Sequence, residues 1–408
     1  MTVKINPSKA VGKIIAPPSK SMAHRALICG ALSEKSVIKN LAFSKDIEAT
    51  LNCLKSLGAK VLVKDDVVEI GGLKADKVPD GAVLYCNESG STLRFLLPLC
   101  MSFGKRITLT GEKRLFERPL GIYEEIAKEQ NILFQKTENS VTVCGKLKPS
   151  NYRLAGDISS QFISGMVFAL STLKEKSIIE ITGKFESASY VDLTVCCLED
   201  FGIKVERSGN TLIIDGQSSF ESCEYTVEGD CSNAAFLDAF NYIGGNVLVD
   251  GLKADTLQGD RVYKDIFEGL KKGEKQFDLS DCPDLAPVCF ALSSFFGGAV
   301  FTGTKRLKLK ESDRAETMKR ELLKFGIEVE ISENLVEIKN GELRQPKATL
   351  YSHNDHRIAM ALTLLLTLTG GSIESAEAVA KSYPDFYKQL SKLGIDLYAA
   401  GVFLSYFA

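Results

Sequence analysis

Six times along the chain an apolar, helix-like run opens on small polar residues, near Ser19, Ser89, Ser159, Cys231, Pro283 and Asn354, with gaps of 70, 70, 72, 52 and 71 residues. A second, more amphipathic run follows each one, beginning near Asp46, Arg118, Tyr190, Asp260, Ser312 and Tyr383. A fixed period marks a repeated supersecondary unit, because one such unit cannot bury its apolar face alone. Four of the second runs end on a glycine followed by alternating apolar residues, as in Leu57-Gly58-Ala59-Lys60-Val61, Phe201-Gly202-Ile203-Lys204-Val205, Phe325-Gly326-Ile327-Glu328-Val329 and Leu393-Gly394-Ile395-Asp396-Leu397. The glycine reads as the residue that ends a helix, and the alternation as strand. Hairpin-like pairs such as Val67-Val68-Glu69-Ile70 and Leu212-Ile213-Ile214-Asp215 come next. The unit is therefore β-α-β-α-β-β, used six times with the fourth copy shortened, and the fold class is α/β. Six units divide into two groups of three, and the changed spacing places the break near Asp230.

At 408 residues, the length suits two or three domains. A formal net charge of -2 gives no argument for a nucleic-acid or membrane partner. The start Met1-Thr2-Val3-Lys4-Ile5-Asn6 lacks a signal-peptide pattern, and the most apolar late stretch, Ile358 to Leu368, is too short to span a bilayer. The cysteines number 11, an odd count with no C-x-x-C pair, so Cys29, Cys100 and Cys289 read as small core residues of a cytoplasmic chain. Only three histidines are present and none has metal-ligand spacing, so no metal site is expected. Neither a G-x-x-x-x-G-K-[ST] loop nor a G-x-G-x-x-G turn after a strand occurs, which moves nucleotide kinases and dinucleotide dehydrogenases down the order.

The openings themselves carry the chemistry. In Pro17-Pro18-Ser19-Lys20-Ser21-Met22-Ala23-His24-Arg25 two prolines stop a strand and Ser19 stands where an N-cap belongs. Lys20, Ser21 and Arg25 then share the first turns of a buried helix, whose free N–H groups and positive dipole end suit an anion. Glu88-Ser89-Gly90-Ser91-Thr92-Leu93-Arg94 combines a glycine that permits close backbone approach with an arginine about one turn on. Ser159, Ser160 and Gln161 open the third helix with neutral hydrogen-bonding groups. Asn354-Asp355-His356-Arg357 sends an arginine ahead of a very apolar run, where an ion pair from Asp355 competes with an external anion. Arg118 and Arg314 are expected at the starts of second-series helices, flanked in two cases by Lys310 and Lys381. Singly, each of these is an ordinary cap or solvated charge. Together Lys20, Arg25, Arg94, Arg118, Lys310, Arg314, Arg357 and Lys381 are eight cations at helix openings in a slightly acidic chain, which implies a focused positive cleft for small, multiply anionic ligands. Asp284 and Glu311 are the carboxylates near those cations; each could be only a cap, but beside a cationic cleft both stay ionised and fit to accept protons.

With these motifs in place, the chain resembles the 5-enolpyruvylshikimate-3-phosphate synthase family over essentially its whole length. The resemblance rests on Ser19-Lys20-Ser21 with Arg25, Ser89 to Arg94, Glu117-Arg118-Pro119, Ser159-Ser160-Gln161, Pro283-Asp284, Lys310-Glu311-Ser312-Asp313-Arg314, Asp355-His356-Arg357, and Lys381 ahead of Tyr383-Pro384-Asp385. It implies an inside-out α/β barrel of two similar lobes, each of three β-α-β-α-β-β units, that close on substrate. The N-terminal lobe would span 19–229, and 1–18 with 230–408 would form the C-terminal lobe, joined by two crossover strands. It also implies transfer of the enolpyruvyl group of phosphoenolpyruvate to the 5-hydroxyl of shikimate 3-phosphate, with release of phosphate and without metal or organic cofactor, in aromatic amino acid biosynthesis. By the same resemblance Lys20, Ser21, Arg25, Ser159, Ser160, Gln161, Ser187, Tyr190, Asp284 and Lys310 would hold shikimate 3-phosphate. Lys20, Gly90, Arg118, Gln161, Arg314, Arg357 and Lys381 would hold phosphoenolpyruvate. Asp284 would take the proton of the attacking hydroxyl, while Glu311, with Lys20, handles the proton on the methylene carbon. The expected partners are these small molecules alone, with no nucleic acid and no membrane, and the chain is expected to be a monomer.

Two positions depart from the pattern: Arg306 stands where some members carry asparagine, and Glu88 where others have asparagine before the glycine. The enolpyruvyl transferase that acts on UDP-N-acetylglucosamine carries a cysteine in a mobile loop, and the stretch from Gly111 to Gly121 has none. A non-catalytic phosphometabolite-binding protein would keep the cations without the acid/base pair. An RNA-end-processing enzyme would be net basic, with its histidine in a late glycine-rich segment.

Overall fold

The computed structural model describes residues 1–400; the last eight residues of the expected C-terminal lobe, 401–408, lie outside the described residues. Among the described residues, five of six sheets repeat one four-stranded pattern. In the sheet Asn151–Ala155, Ser177–Thr182, Thr211–Ile214, Val205–Ser208, the first pair is parallel and the others antiparallel. A parallel pair needs a crossover, here the helix Ser160–Leu170, whereas the antiparallel strands join by a hairpin after the second helix, Ala188–Asp200. The order β-α-β-α-β-β follows. The same arrangement holds for Ala82–Tyr85, Ile107–Thr110, Ser140–Cys144 and Leu133–Lys136, and for Gln276–Asp278, Ala299–Thr302, Leu335–Ile338 and Val329–Ser332.

Three sheets take a strand from remote chain. Glu224–Thr226 lies parallel to Ser36–Lys39 and supplies the opening strand of the first repeat. Thr2–Ile5 sits between Gly371–Glu374 and Leu397–Ala400 in the last sheet. The shortened fourth copy keeps only the parallel pair Val11–Ile15 with Asn246–Asp250. The chain forms two compact units, Pro18–Glu228 on the one hand and Met1–Pro17 with the chain from Gly229 onward on the other.

In the Pro18–Glu228 unit the helix Ser160–Leu170 is buried at 10 of its 11 positions, as expected of a helix that is apolar all round. It packs on Gly90–Ser102 with Phe95 and Phe168 edge to face at 5.5 Å, and Phe162 meets Tyr123 at 4.9 Å. Each such ring contributes about 1.5–3 kcal/mol on burial. Gly165 allows the close approach, since a Cβ there would sit 2.2 Å from the Arg94 carbonyl oxygen. Pro98, inside the Gly90–Ser102 helix, has no N–H to give that same carbonyl four residues back; the Tyr123 hydroxyl donates to it instead at 2.6 Å.

In the other unit the helices Cys231–Tyr242, Ala286–Phe295 and His356–Thr369 form the core, with Phe290 against Phe301 at 5.1 Å. The helix-ending glycines read from the sequence adopt left-handed backbone, for example Gly202 at φ 80°. Among the described residues no helix is long and apolar enough to cross a membrane.

Candidate active site

Within the Pro18–Glu228 unit the first opening departs from expectation in one detail. Ser19 holds the N-cap position before the helix Lys20–Leu32, but its buried Oγ makes no cap bond, and its backbone N–H donates instead to Glu228 O at 2.8 Å. Lys20 pairs with Asp46 at 2.9 Å. Arg25 is buried and, among the described residues, donates to neutral acceptors: Ser21 O at 2.6 Å, Tyr190 O at 2.7 Å and Thr194 Oγ1 at 2.8 Å. Burial pushes its pKa down to about 10, so an anion arriving there meets a poorly solvated guanidinium. Ser21, Arg25 and Tyr190 are thus brought together, with Ser187 one turn before, in left-handed backbone (φ 55°) at the N-cap of Ala188–Asp200. Thr194 went unread in the sequence; it lies one turn after Tyr190, the only signal that could have found it.

Gln161 links the second and third openings. Its Nε2 donates to Ser91 Oγ at 3.0 Å and its Oε1 accepts from Arg94 Nη1 at 2.9 Å, while Ser159 caps the helix by accepting from Gln161 N and Ser160 is its buried first residue. Gly90 lies against two guanidinium groups, for a Cβ there would sit 2.5 Å from Arg118 Nη1 and 2.9 Å from Arg94 Nη1. Two like charges held that close favour an anion between or beside them. Arg118 does not open a helix as expected. It follows the short helix Lys113–Glu117 in extended backbone, and the amphipathic helix begins at Gly121, because a residue ahead of proline is excluded from the helical region.

Behind these openings runs a buried chain of side chains: His24 Nδ1 to Thr50 Oγ1 at 2.8 Å, Thr50 to Thr92 at 2.6 Å, and Thr92 to Ser89 Oγ at 2.6 Å. Burial, with the charges of Lys20 and Arg25, holds the His24 pKa well below its usual value, so the ring is neutral.

The second unit carries a denser cluster. Asp284, on the turn Pro283–Leu285, accepts from Lys310 Nζ at 3.0 Å, Arg314 Nη1 at 2.8 Å and Arg357 Nη2 at 2.9 Å. Burial alone would raise its pKa; the three cations outweigh that and hold it well below the usual carboxylate value. Arg314, whose side chain is 1% exposed, also reaches Asp355 at 2.9 Å and Glu311 at 2.8 Å. Those carboxylates outweigh burial and raise its pKa further. Burial, with Arg314 and Arg306 nearby, lowers that of Lys310 against the pull of Asp284 and Glu311.

The competing ion pair expected between Asp355 and Arg357 is replaced by another. As N-cap of the helix His356–Thr369, Asp355 accepts the backbone N–H of Arg357 at 2.9 Å and pairs with Arg314, while the Arg357 side chain reaches Asp284. Lys310 and Lys381 close short 3₁₀ turns, Lys305–Leu309 and Ala376–Lys381, and Lys381 Nζ donates to Asn354 O at 2.5 Å. Lys20, Lys310, Arg314 and Arg357 therefore stand paired with internal carboxylates.

Comparison with known proteins agrees along the length of the chain. The family model for EPSP synthase (3-phosphoshikimate 1-carboxyvinyltransferase) matches residues 5–390. A Clostridium kluyveri protein named 3-phosphoshikimate 1-carboxyvinyltransferase is 42% identical over 425 aligned positions, covering 98% of this chain and 99% of its own. A Clostridioides difficile protein of the same name is 38% identical, covering 96% and 97%. A solved EPSP synthase structure from Acinetobacter baumannii superposes with a TM-score of 0.77 at 23% identity, covering 98% of this chain and all of that one, and so shares its fold.

Proposed function

The chain belongs to the EPSP synthase family, and on that premise we propose how its side chains divide the work. It transfers the enolpyruvyl group of phosphoenolpyruvate to shikimate 3-phosphate in aromatic amino acid biosynthesis. Lys20, Ser21, Arg25, Ser159, Ser160, Gln161, Ser187, Tyr190, Asp284 and Lys310 hold shikimate 3-phosphate. Lys20, Gly90, Arg118, Gln161, Arg314, Arg357 and Lys381 hold phosphoenolpyruvate. Two phosphates at about -1.5 to -2 each, with two carboxylates, approach the eight cations in number.

The observation that carries this reading is Asp284, bridged by Lys310 from the first set and by Arg314 and Arg357 from the second. When the phosphates and carboxylates of the substrates engage those cations, Asp284 loses partners, its pKa climbs from its depressed value, and it becomes a base for the 5-hydroxyl. The oxygen bonds to C2 of phosphoenolpyruvate as Glu311, with Lys20, delivers a proton to the methylene carbon. The C2–O bond to phosphate then breaks, the departing phosphate takes up the proton held by Asp284, and one proton of the new methyl group returns to Glu311, which restores the double bond. Positioning and preorganised charge supply most of the rate. A monomer in the cytoplasm completes the proposal; eleven cysteines, all free, support a reducing compartment.

The test is phosphate release that depends on both substrates. Asp284→Ala should leave substrate binding within about an order of magnitude and nearly abolish turnover. Near-normal turnover would remove Asp284 from its role.

A further inference from the structure

His353 and Asn354 are consecutive non-glycine residues in left-handed backbone, at φ 52° and 56°. Such strain persists only where the surroundings over-determine it, and it gathers at ligand clamps. The restraint here comes from Glu321, a carboxylate with 2% of its side chain exposed, on the helix Arg314–Lys324. It accepts from His353 Nε2 at 3.1 Å, from Lys324 Nζ at 2.9 Å and from Tyr351 N at 3.0 Å. Burial would push the Glu321 carboxyl up, but those hydrogen bonds and the Lys324 charge hold it below its usual value, so it is ionised. The Tyr351 ring packs edge-on against His353 at 4.9 Å, and Ser352 Oγ accepts the Asn354 N–H at 3.2 Å.

What leaves this turn is the ligand machinery. The Asn354 carbonyl takes Lys381 Nζ at 2.5 Å, and Asp355 takes Arg314 Nε at 2.9 Å while capping the N–H of Arg357. The direction of the Asn354 carbonyl is set by the left-handed peptides around it. We propose that Glu321, acting through His353, is a positioning residue for phosphoenolpyruvate: it holds the His353-Asn354 turn in the conformation that places Lys381, Arg314 and Arg357. The proposal rests on the assignment of those three cations to that ligand. Without the clamp the turn relaxes toward the ordinary helical region, the Asn354 carbonyl swings off Lys381, and Asp355 shifts under Arg314. A carboxylate serving stability alone would change the melting temperature and leave substrate constants untouched.

The experiment is steady-state kinetics with both substrates, alongside thermal melting, on the full chain carrying Glu321→Ala, Glu321→Gln, or Glu321→Ala with His353→Gly and Asn354→Gly. Lys381→Ala serves as the reference. Glu321→Ala should raise KM for phosphoenolpyruvate about tenfold or more, with KM for shikimate 3-phosphate within about twofold. Glu321→Gln still accepts the Tyr351 N–H and should change it less. The glycine pair should restore part of the loss, because glycine takes positive φ without strain. A lowered melting temperature with an unchanged KM for phosphoenolpyruvate in Glu321→Ala, while Lys381→Ala raises it, overturns the clamp alone. An unchanged KM in Lys381→Ala overturns the ligand assignment and the clamp with it. Should Glu321→Ala fail to fold, His353→Ala leaves Glu321 bound by Lys324 and Tyr351 and should show the same rise; its absence overturns the proposal.

Discussion

Replacing Gly90 by alanine places a methyl group 2.5 Å from Arg118 Nη1, 2.9 Å from Arg118 Cζ and 2.9 Å from Arg94 Nη1. Attractive contact between such atoms begins at about 3.5 Å, so the Arg118 tip must retreat by about 1 Å. That atom ends a flexible side chain, and the retreat costs the fold little. Gly90 is the first residue of its helix and is not among the positive-φ glycines, so alanine there should stabilise the protein by about 0.4–1 kcal/mol through the unfolded state. Binding is another matter. A misplacement of about 1 Å in a positioning group costs on the order of 10²-fold, or about 2.7 kcal/mol, comparable with the loss of one charged hydrogen bond at about 1.5–3 kcal/mol. The expected outcome is a KM for phosphoenolpyruvate raised about 10- to 100-fold, a nearly constant KM for shikimate 3-phosphate, and an unchanged or slightly higher melting temperature. The assay is phosphate release against phosphoenolpyruvate at saturating shikimate 3-phosphate, paired with a melting curve. Gly121→Ala is the control, since a Cβ there meets nothing within 4 Å. A folded Gly90→Ala protein with the parent KM would refute the placement of Arg118 against the donor substrate.

Tyr123→Phe removes the hydroxyl that donates to the Arg94 carbonyl freed by Pro98; chemical denaturation should show a loss of about 0.5–1.5 kcal/mol, and a value within error of zero would dismiss that account. His24 sets a pH dependence. Its folded pKa is depressed, so the unfolded chain binds the extra proton once the pH falls below about 6.5. Stability is fully present above that value and declines as pH falls toward the folded pKa, by up to about 1.4 kcal/mol per pH unit. Urea unfolding at pH 7.5, 6.5 and 5.5 should reveal the slope and His24→Asn should flatten it, whereas an equal slope in both proteins would mean the ring is not held neutral.

The period of the repeat was legible because the features that produce it are local: a polar opening, an apolar run at helical spacing, a glycine such as Gly202 or Gly326 that ends the next helix, and alternation for the strands after it. The cations were legible as a set because all stand near such openings. Their partners were not. Lys20 meets Asp46 across 26 residues, and Asp284 meets Arg357 across 73, so these ion pairs have no signature along the chain. Glu321 and Thr194 read as ordinary helix residues until His353 and Arg25 are folded against them. Arg118 was misplaced although its cause was in plain view at Pro119.

By itself, then, the sequence determined which segments become helix and strand, how often the unit recurs and which residue types stand at each opening, since propensity, periodicity and capping act over a few residues. Tertiary structure alone decided that Thr2–Ile5 completes a sheet with Gly371–Glu374 and Leu397–Ala400, which carboxylate neutralises which cation, and which backbone strain is held in place. Those outcomes depend on burial and on charge separations of about 3 Å, where interaction strength changes steeply with distance and solvation, and neither quantity exists until remote parts of the chain have packed.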